Sequence, residues 1–356
     1  MKDTIKLGTK ELLKVNDSNR PWHMPVCAGI SAGGPVIIAA ILGMPMITGA
    51  IGSMGGMVFL YMSNTPLYHR AIVLMACSFG MIVSFISGTF THIMPSMIPL
   101  TLGIVTVVAT MIVRYYQVGG PGNFFFLMTA TLAAYMPFPP TKLIEASGYF
   151  SLGCMWAFSV AFIYSVVLLK FNKPEPIKEI VYEGFDNVIL DSLIIGLFVG
   201  FSAWFAGAVG FDKPYWVPIS TLAILQGMTL RSKWTRQIHR ISGTLVGIVL
   251  VYFLLLVPFK EYQVGILIAV LACLVEVFVV RNYGLAAIFI TPLTVFMAEI
   301  SGVVGAGNST HLIITRLSDI ALGSVIGFVG GVCLHSVRFR NLIKRVIFAF
   351  KDSKEL

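Results

Sequence analysis

Charge is what this sequence lacks most. Only 12% of its 356 residues are Asp, Glu, Lys or Arg, whereas a soluble domain carries roughly 25% and coats its surface with them. The shortage excludes an ordinary water-facing globule. Cysteine is scarce as well: Cys27, Cys77, Cys154, Cys273 and Cys333 all fall in apolar stretches, form no CxxC pair and are odd in number. They read as small buried hydrophobes, and neither a disulfide framework nor a metal site is expected. The six histidines flank the apolar stretches without ligand spacing. GxSxG, HExxH, P-loop and GxGxxG motifs are missing too, so the chain is read as a non-enzyme with no cofactor. Without a nucleotide-binding loop, any active transport must draw on an ion gradient or on a partner.

Apolar residues fill the space that charge leaves. They make up 57% of the chain, with a mean hydropathy of +0.87. The runs 71–86, 97–113, 148–169 and 264–280 contain no charged residue except Glu276. About 20 helical residues cross the ~30 Å apolar layer of a bilayer, and these runs approach that length. The pattern predicts spans over 25–42, 45–62, 70–88, 96–115, 122–138 and 148–169. It predicts six more over 188–210, 214–230, 240–258, 263–280, 283–299 and 312–336. The expected fold class is therefore an all-α polytopic membrane protein with about twelve transmembrane helices. A segment at 1–24, a six-helix half at 25–170, a linker at 171–187, a second six-helix half at 188–337 and a basic tail at 338–356 complete the expected organisation. Residues 1–22 are polar and basic, with no separate apolar core of a cleavable signal peptide.

The formal net charge of +9 is an orientation signal rather than a nucleic-acid footprint, because the basic residues cluster between spans. With the N-terminus inside, 21 of the 25 Lys and Arg face the cytoplasm and only Lys142, Lys213 and Lys260 lie outside, Arg316 being within a span. Both termini are expected in the cytoplasm of a bacterial inner membrane. The halves also echo one another. Tyr68-His69-Arg70 opens the third span and Ile238-His239-Arg240 the ninth; Leu152-Gly153 matches Leu322-Gly323 at the same offset of 170 residues. Six spans per half make the repeats parallel, with a shared cavity between them. In the tail, Leu342, Ile343, Val346, Ile347 and Phe350 share a helical face, which suits a helix on the anionic leaflet or a solvated tail.

Ionisable groups inside the spans are few. Arg316 and Asp319 lie on one face of the twelfth span, and each alone would cost about 3 kcal/mol in lipid. They read either as an ion pair locking that helix or as an arginine that meets an anionic substrate, with Asp319 controlling its availability. Glu276 reads either as a proton carrier or as a partner of Arg281 or of the Arg231–Arg240 cluster. Tyr215 and Trp216 suit an interfacial anchor or a stacking surface for an aromatic ring. Gln226 needs a hydrogen-bond partner. Gly243 and Gly247 form a GxxxG pair for close helix approach around Thr244.

These residues carry a resemblance. Tyr215-Trp216-Val217-Pro218 with Gln226, then Arg236 and Arg240-x-x-Gly243-Thr244-x-x-Gly247, stand in order along the second half. Asn282-Tyr283-Gly284-Leu285-Ala286, Thr291-Pro292-Leu293 and Arg316-x-x-Asp319-x-x-x-Gly323 follow. Together the set resembles the fusaric-acid-resistance-like (FUSC), or aromatic acid exporter, family. The resemblance implies proton-coupled efflux of aromatic carboxylic acids. Distant similarity to plant malate channels keeps a passive anion channel open, and a non-transporting scaffold or accessory subunit is the third reading. Family members commonly carry Thr where this chain has Ile320, and the large exporters carry a sizeable domain between the halves. The expected partners are a small organic anion and the bilayer, with a homo-oligomer or accessory efflux subunit open, and no nucleic acid.

Overall fold

A computed structural model describes residues 15–18, 20–137, 139–169, 174–177, 185–226, 230–300 and 309–352. Among them the secondary structure is entirely helical. The first six helices are α1 (His23–Ile41), α2 (Met46–Gly56, continued by a 3₁₀ turn Met57–Tyr61), α3 (Leu67–Phe90), α4 (Ile98–Tyr115), α5 (Phe124–Tyr135) and α6 (Leu143–Leu168). The second six are α7 (Phe185–Val209), α8 (Trp216–Leu225), α9 (Leu230–Leu255), α10 (Glu261–Val279), α11 (Tyr283–Ile300) and α12 (Ser309–His335). A further helix, α13 (Val337–Asp352), follows.

A helix stands at each of the twelve places where an apolar run predicts one, but the helices are of two kinds. Eight (α1, α3, α4, α6, α7, α9, α10 and α12) are long and apolar enough to cross a membrane. Four (α2, α5, α8 and α11) are shorter. At 1.5 Å per residue, the 10 residues of α8 and the 12 of α5 reach only about 15 and 18 Å. For α5, local chemistry sets the limit. Pro137, Pro139 and Pro140 follow α5, and a proline both lacks the amide donor and pushes its predecessor out of helical geometry. The short helices stand second and fifth in each set of six.

Burial separates the two kinds. Every residue of α8 is buried, and none of the exposed large apolar side chains comes from α2, α5, α8 or the described side chains of α11. The long helices instead expose residues such as Phe79, Phe90, Leu152 and Phe253. Such a coat is costly in water and at home in hydrocarbon. The chain is a multi-pass membrane protein with an outer ring of long helices around four short ones.

The packing of the first six helices recurs in the second six. Contacts α1–α2, α1–α6, α2–α6, α3–α5, α3–α6 and α4–α5 reappear as α7–α8, α7–α12, α8–α12, α9–α11, α9–α12 and α10–α11. Between the sets, α1–α10 is matched by α7–α4, and α5–α8 by α11–α2. Small residues permit the two main crossings. A Cβ on Gly29 would fall 2.5 Å from the Ala269 carbonyl oxygen, and one on Gly33 2.5 Å from that of Gly265. On the other crossing, a Cβ on Gly196 would fall 2.8 Å from the Gly103 carbonyl oxygen, and one on Gly200 2.9 Å from that of Pro99. Backbone-to-backbone approach of this kind is how helices associate where lipid supplies no hydrophobic drive.

Ile238-His239-Arg240 opens the apolar span Ile238–Leu255, as Tyr68-His69-Arg70 stands at the start of α3, but helix α9 itself begins earlier, at Leu230. The charged stretch ahead of the apolar run continues the helix because Lys, Arg and Gln are good helix formers. The tail is neither frayed nor merely solvated: α13 packs Phe339 and Ile343 onto the cluster around α7, with the Phe198 and Phe339 ring centroids 6.4 Å apart. Of its expected apolar face, Val346, Ile347 and Phe350 have side chains outside the described residues.

The crossings give a direct test. Gly33→Ala and Gly196→Ala each lose about 1–3 kcal/mol in unfolding from detergent, through overpacking. Gly148, with nothing within 4 Å of its added Cβ, serves as control, and Gly148→Ala stays within about 0.5 kcal/mol.

Candidate functional site

The short helix α8 is the floor of the site. Ser220 and Thr221 sit at its middle, both fully buried. Thr221 donates its hydroxyl to the Gly323 carbonyl oxygen at 3.0 Å. A Cβ on Gly323 would lie 2.4 Å from the Val217 carbonyl oxygen, so only glycine lets α12 rest on α8 this closely. Gly153 does the same on α2, where a Cβ would fall 2.0 Å from the Gly52 carbonyl oxygen. The Leu-Gly echo between the halves therefore marks one packing device used twice.

Arg240 reaches this floor from α9. It is 8% exposed; its Nη2 donates to Ser220 Oγ at 3.1 Å and its Nη1 to the Tyr283 hydroxyl at 3.2 Å. Its Nε is buried with no acceptor among the described residues. Neutral hydroxyls thus hold a buried cation. Gly243 and Gly247 bring α9 onto α11: their added Cβ atoms would fall 2.5 Å from the Gly284 and 2.7 Å from the Ile288 carbonyl oxygens. Thr244 is buried between them. That close crossing places Tyr283 within reach of Arg240.

The remaining candidates fall into place around this pair. Asn282 accepts from the backbone amides of Gly284 (2.8 Å) and Leu285 (3.2 Å), which caps α11. Gln226 leaves the end of α8 and donates to the Pro121 carbonyl at 2.9 Å and to Asn123 Oδ1 at 3.0 Å, joining the two sets of helices. Tyr215 and Trp216 are buried at 2% and 5% exposure, their centroids 5.1 Å apart. Tyr135 of α5 stands 6.1 Å from Tyr215, so these rings belong to the interior rather than to an interfacial belt. Asp319 is fully buried one turn before Gly323. Arg316 lies three residues earlier on α12, its side chain outside the described residues, as is that of Arg236.

Glu276 pairs with Arg20, from the segment ahead of α1, rather than with Arg281 or Arg240. The matching crossing carries the opposite arrangement: Arg114 of α4 pairs with Asp191 of α7, which also takes Arg340 of α13. Each of the two main crossings is thus closed by an ion pair, with the signs exchanged. No motif or spacing points to Ser220, Arg20 or Asp191 as partners, and the Arg20–Glu276 pair is 256 residues apart in the chain. Arg70 was legible through its echo in Arg240.

The fold and this interior define a helical multi-pass membrane protein with a buried cation among short helices. Residues 198–330 match the fusaric acid resistance protein-like family, the stretch that holds Tyr215 to Gln226, Arg240, Asn282-Tyr283 and Asp319 to Gly323. The resemblance read from those motifs is borne out there, and membrane transport is the coarse function it points to. The whole chain is similar to an uncharacterized membrane protein, YvaC, of Bacillus subtilis (strain 168), with 23% identity over 490 aligned positions covering 95% of this chain and 77% of that protein. No solved structure matches.

The ion pairs can be checked by rescue. Arg20→Ala leaves the Glu276 carboxylate buried alone and costs about 1–3 kcal/mol, less than a fully buried pair because Arg20 is 35% exposed. Arg20→Ala with Glu276→Gln recovers most of that loss in the same unfolding assay.

Proposed function

We propose that the chain is a secondary, proton-coupled exporter of aromatic carboxylic acids or similar amphipathic organic anions. It would sit in the bacterial cytoplasmic membrane as two parallel six-helix repeats with twelve crossings and both termini inside. The recurring packing and the bias of basic residues toward one side support that arrangement. The organic-anion reading rests on one observation above the rest: Arg240, buried among the short helices and held by the hydroxyls of Ser220 and Tyr283. A cation kept in a membrane interior is expensive, and it is retained where a substrate or ion supplies the missing charge.

In this reading a carboxylate displaces the weaker hydroxyl acceptors, because a charge-assisted bond to guanidinium is roughly twice as strong as a neutral one. Its planar oxygens suit the guanidinium fork. The rings of Tyr135, Tyr215 and Trp216 form an aromatic wall in the same interior, to which an aromatic substrate is matched. Arg316 and Asp319 on α12 would tune the charge available, with Asp319 the first choice for the coupled proton. Gln226, Asn282, Gly243, Gly247 and Gly323 would hold the helices that carry these groups. The 171–187 linker and the α13 region would lie on the cytoplasmic side.

Efflux of 4-hydroxybenzoate from loaded cells tests the proposal. Arg240→Gln lowers efflux at least tenfold at equal protein level, Arg240→Lys retains part of it, and Arg316→Ala abolishes it. An uncoupler raises accumulation in the wild type. Flux that follows the anion gradient and ignores the uncoupler makes the protein a passive channel, and no flux from purified protein in liposomes rejects transport altogether.

A further inference from the structure

Arg70 stands in α1–α6 where Arg240 stands in α7–α12. Each follows a histidine, the two are 170 residues apart, and α3 packs on α5 and α6 as α9 packs on α11 and α12. Arg70 is 2% exposed and is the largest fully buried side chain among the described residues. Its Nε donates to the Thr65 carbonyl oxygen at 2.5 Å and its Nη2 to Asn64 Oδ1 at 2.9 Å. Its Nη1 is buried with no acceptor among the described residues. Glu175 of the linker accepts from the Asn64 side-chain amide at 3.2 Å rather than from Arg70. A guanidinium with a full charge and a sequestered, unsatisfied N–H is a poor structural element and a good anion receptor.

Aromatic rings converge on the same region. Tyr164 belongs to α6, the helix that packs against α3, α1 and the 3₁₀ turn Met57–Tyr61. Its ring stands 6.2 Å from Phe59 and 5.4 Å from His23. The Nδ1 of His23 is likewise buried without a partner among the described residues. One side of this cluster offers buried nitrogen atoms without partners among the described residues, and the other offers ring faces. That combination matches a molecule with an anionic head and an aromatic body.

We infer that Arg70, with Tyr164, Phe59 and His23, forms a second binding site for an aromatic carboxylate, the counterpart in α1–α6 of the Arg240 site in α7–α12. The ligand class rests on the reading of Arg240, but the site itself rests on the buried Arg70 and its ring cluster. Asn64 and Thr65 position the guanidinium, one edge of which remains for the carboxylate. The protein then holds two substrate molecules, one in each set of six helices.

Equilibrium binding of benzoate to the purified full chain in nanodiscs tests this. The wild type binds two benzoates per chain, Arg70→Gln and Arg240→Gln one each, and the double variant none. Tyr164→Ala, which leaves the Arg70 hydrogen bonds in place, weakens one of the two sites by tenfold or more. Should Arg70→Gln fail to fold, Arg70→Lys with Tyr164→Ala carries the same comparison. Two benzoates retained at unchanged affinity in the Arg70 variants overturn the site. So does a single benzoate in the wild type, lost on changing Arg240 alone, although that result leaves the exporter reading intact. Two-site binding without flux in liposomes does the reverse, supporting the Arg70 site while the exporter reading falls.

Discussion

The close approach of α1 to α10 and of α4 to α7 is the contact on which the rest of the structure depends. Both crossings join the first six helices to the second six, and both need glycine where one backbone meets another. In lipid, apolar side chains gain little by leaving their surroundings, so association relies on fit, on hydrogen bonds and on polar pairs. The glycines supply the fit. Arg20–Glu276 on one crossing and Arg114–Asp191 on the other supply the polar closure. Because each set reaches into the other, the short helices meet one another at the centre, α5 on α8 and α2 on α11, with long helices packed around them.

That enclosure explains how a charged side chain survives in the interior. Arg240 is not dissolved in lipid; it lies on the buried α8 against Ser220, with Tyr283 across from it. The α9–α11 crossing at Gly243 and Gly247 fixes the distance to Tyr283, and Gly323 fixes α12 against the same floor. Packing and polar chemistry are therefore one arrangement. Widening any of these crossings would separate the arginine from its hydroxyls before it unfolded a helix. The same economy links α13 to the core, since Arg340 shares Asp191 with Arg114.

Much of the fold was legible in the sequence because it follows from local composition. The order of the helices, their approximate limits and their membrane character all come from runs of apolar residues. The motif around Arg240 and Gly243 was visible for the same reason: its residues lie within a few turns of one another. The shortness of α5 was less so, although Pro137, Pro139 and Pro140 mark its end, because a run of apolar residues continues past the break. Glu276 was assigned to nearby arginines when its partner is Arg20, and Tyr215 and Trp216 could not be told from a membrane-interface pair.

Composition by itself determined that this chain is helical and membrane-embedded, since too little charge leaves only hydrocarbon as solvent and hydrocarbon tolerates only self-satisfied backbone. The positions of its rare charges and glycines were equally fixed there. Tertiary structure alone decided which helices are interior, which carboxylate meets which arginine, and that Arg240 and Arg70 rest on neutral partners. Arg20–Glu276 and Arg340–Asp191 join residues 256 and 149 positions apart, and even the 20 and 43 positions that separate Ser220 and Tyr283 from Arg240 run from one helix to another; no local rule of propensity or periodicity says how separate helices pack.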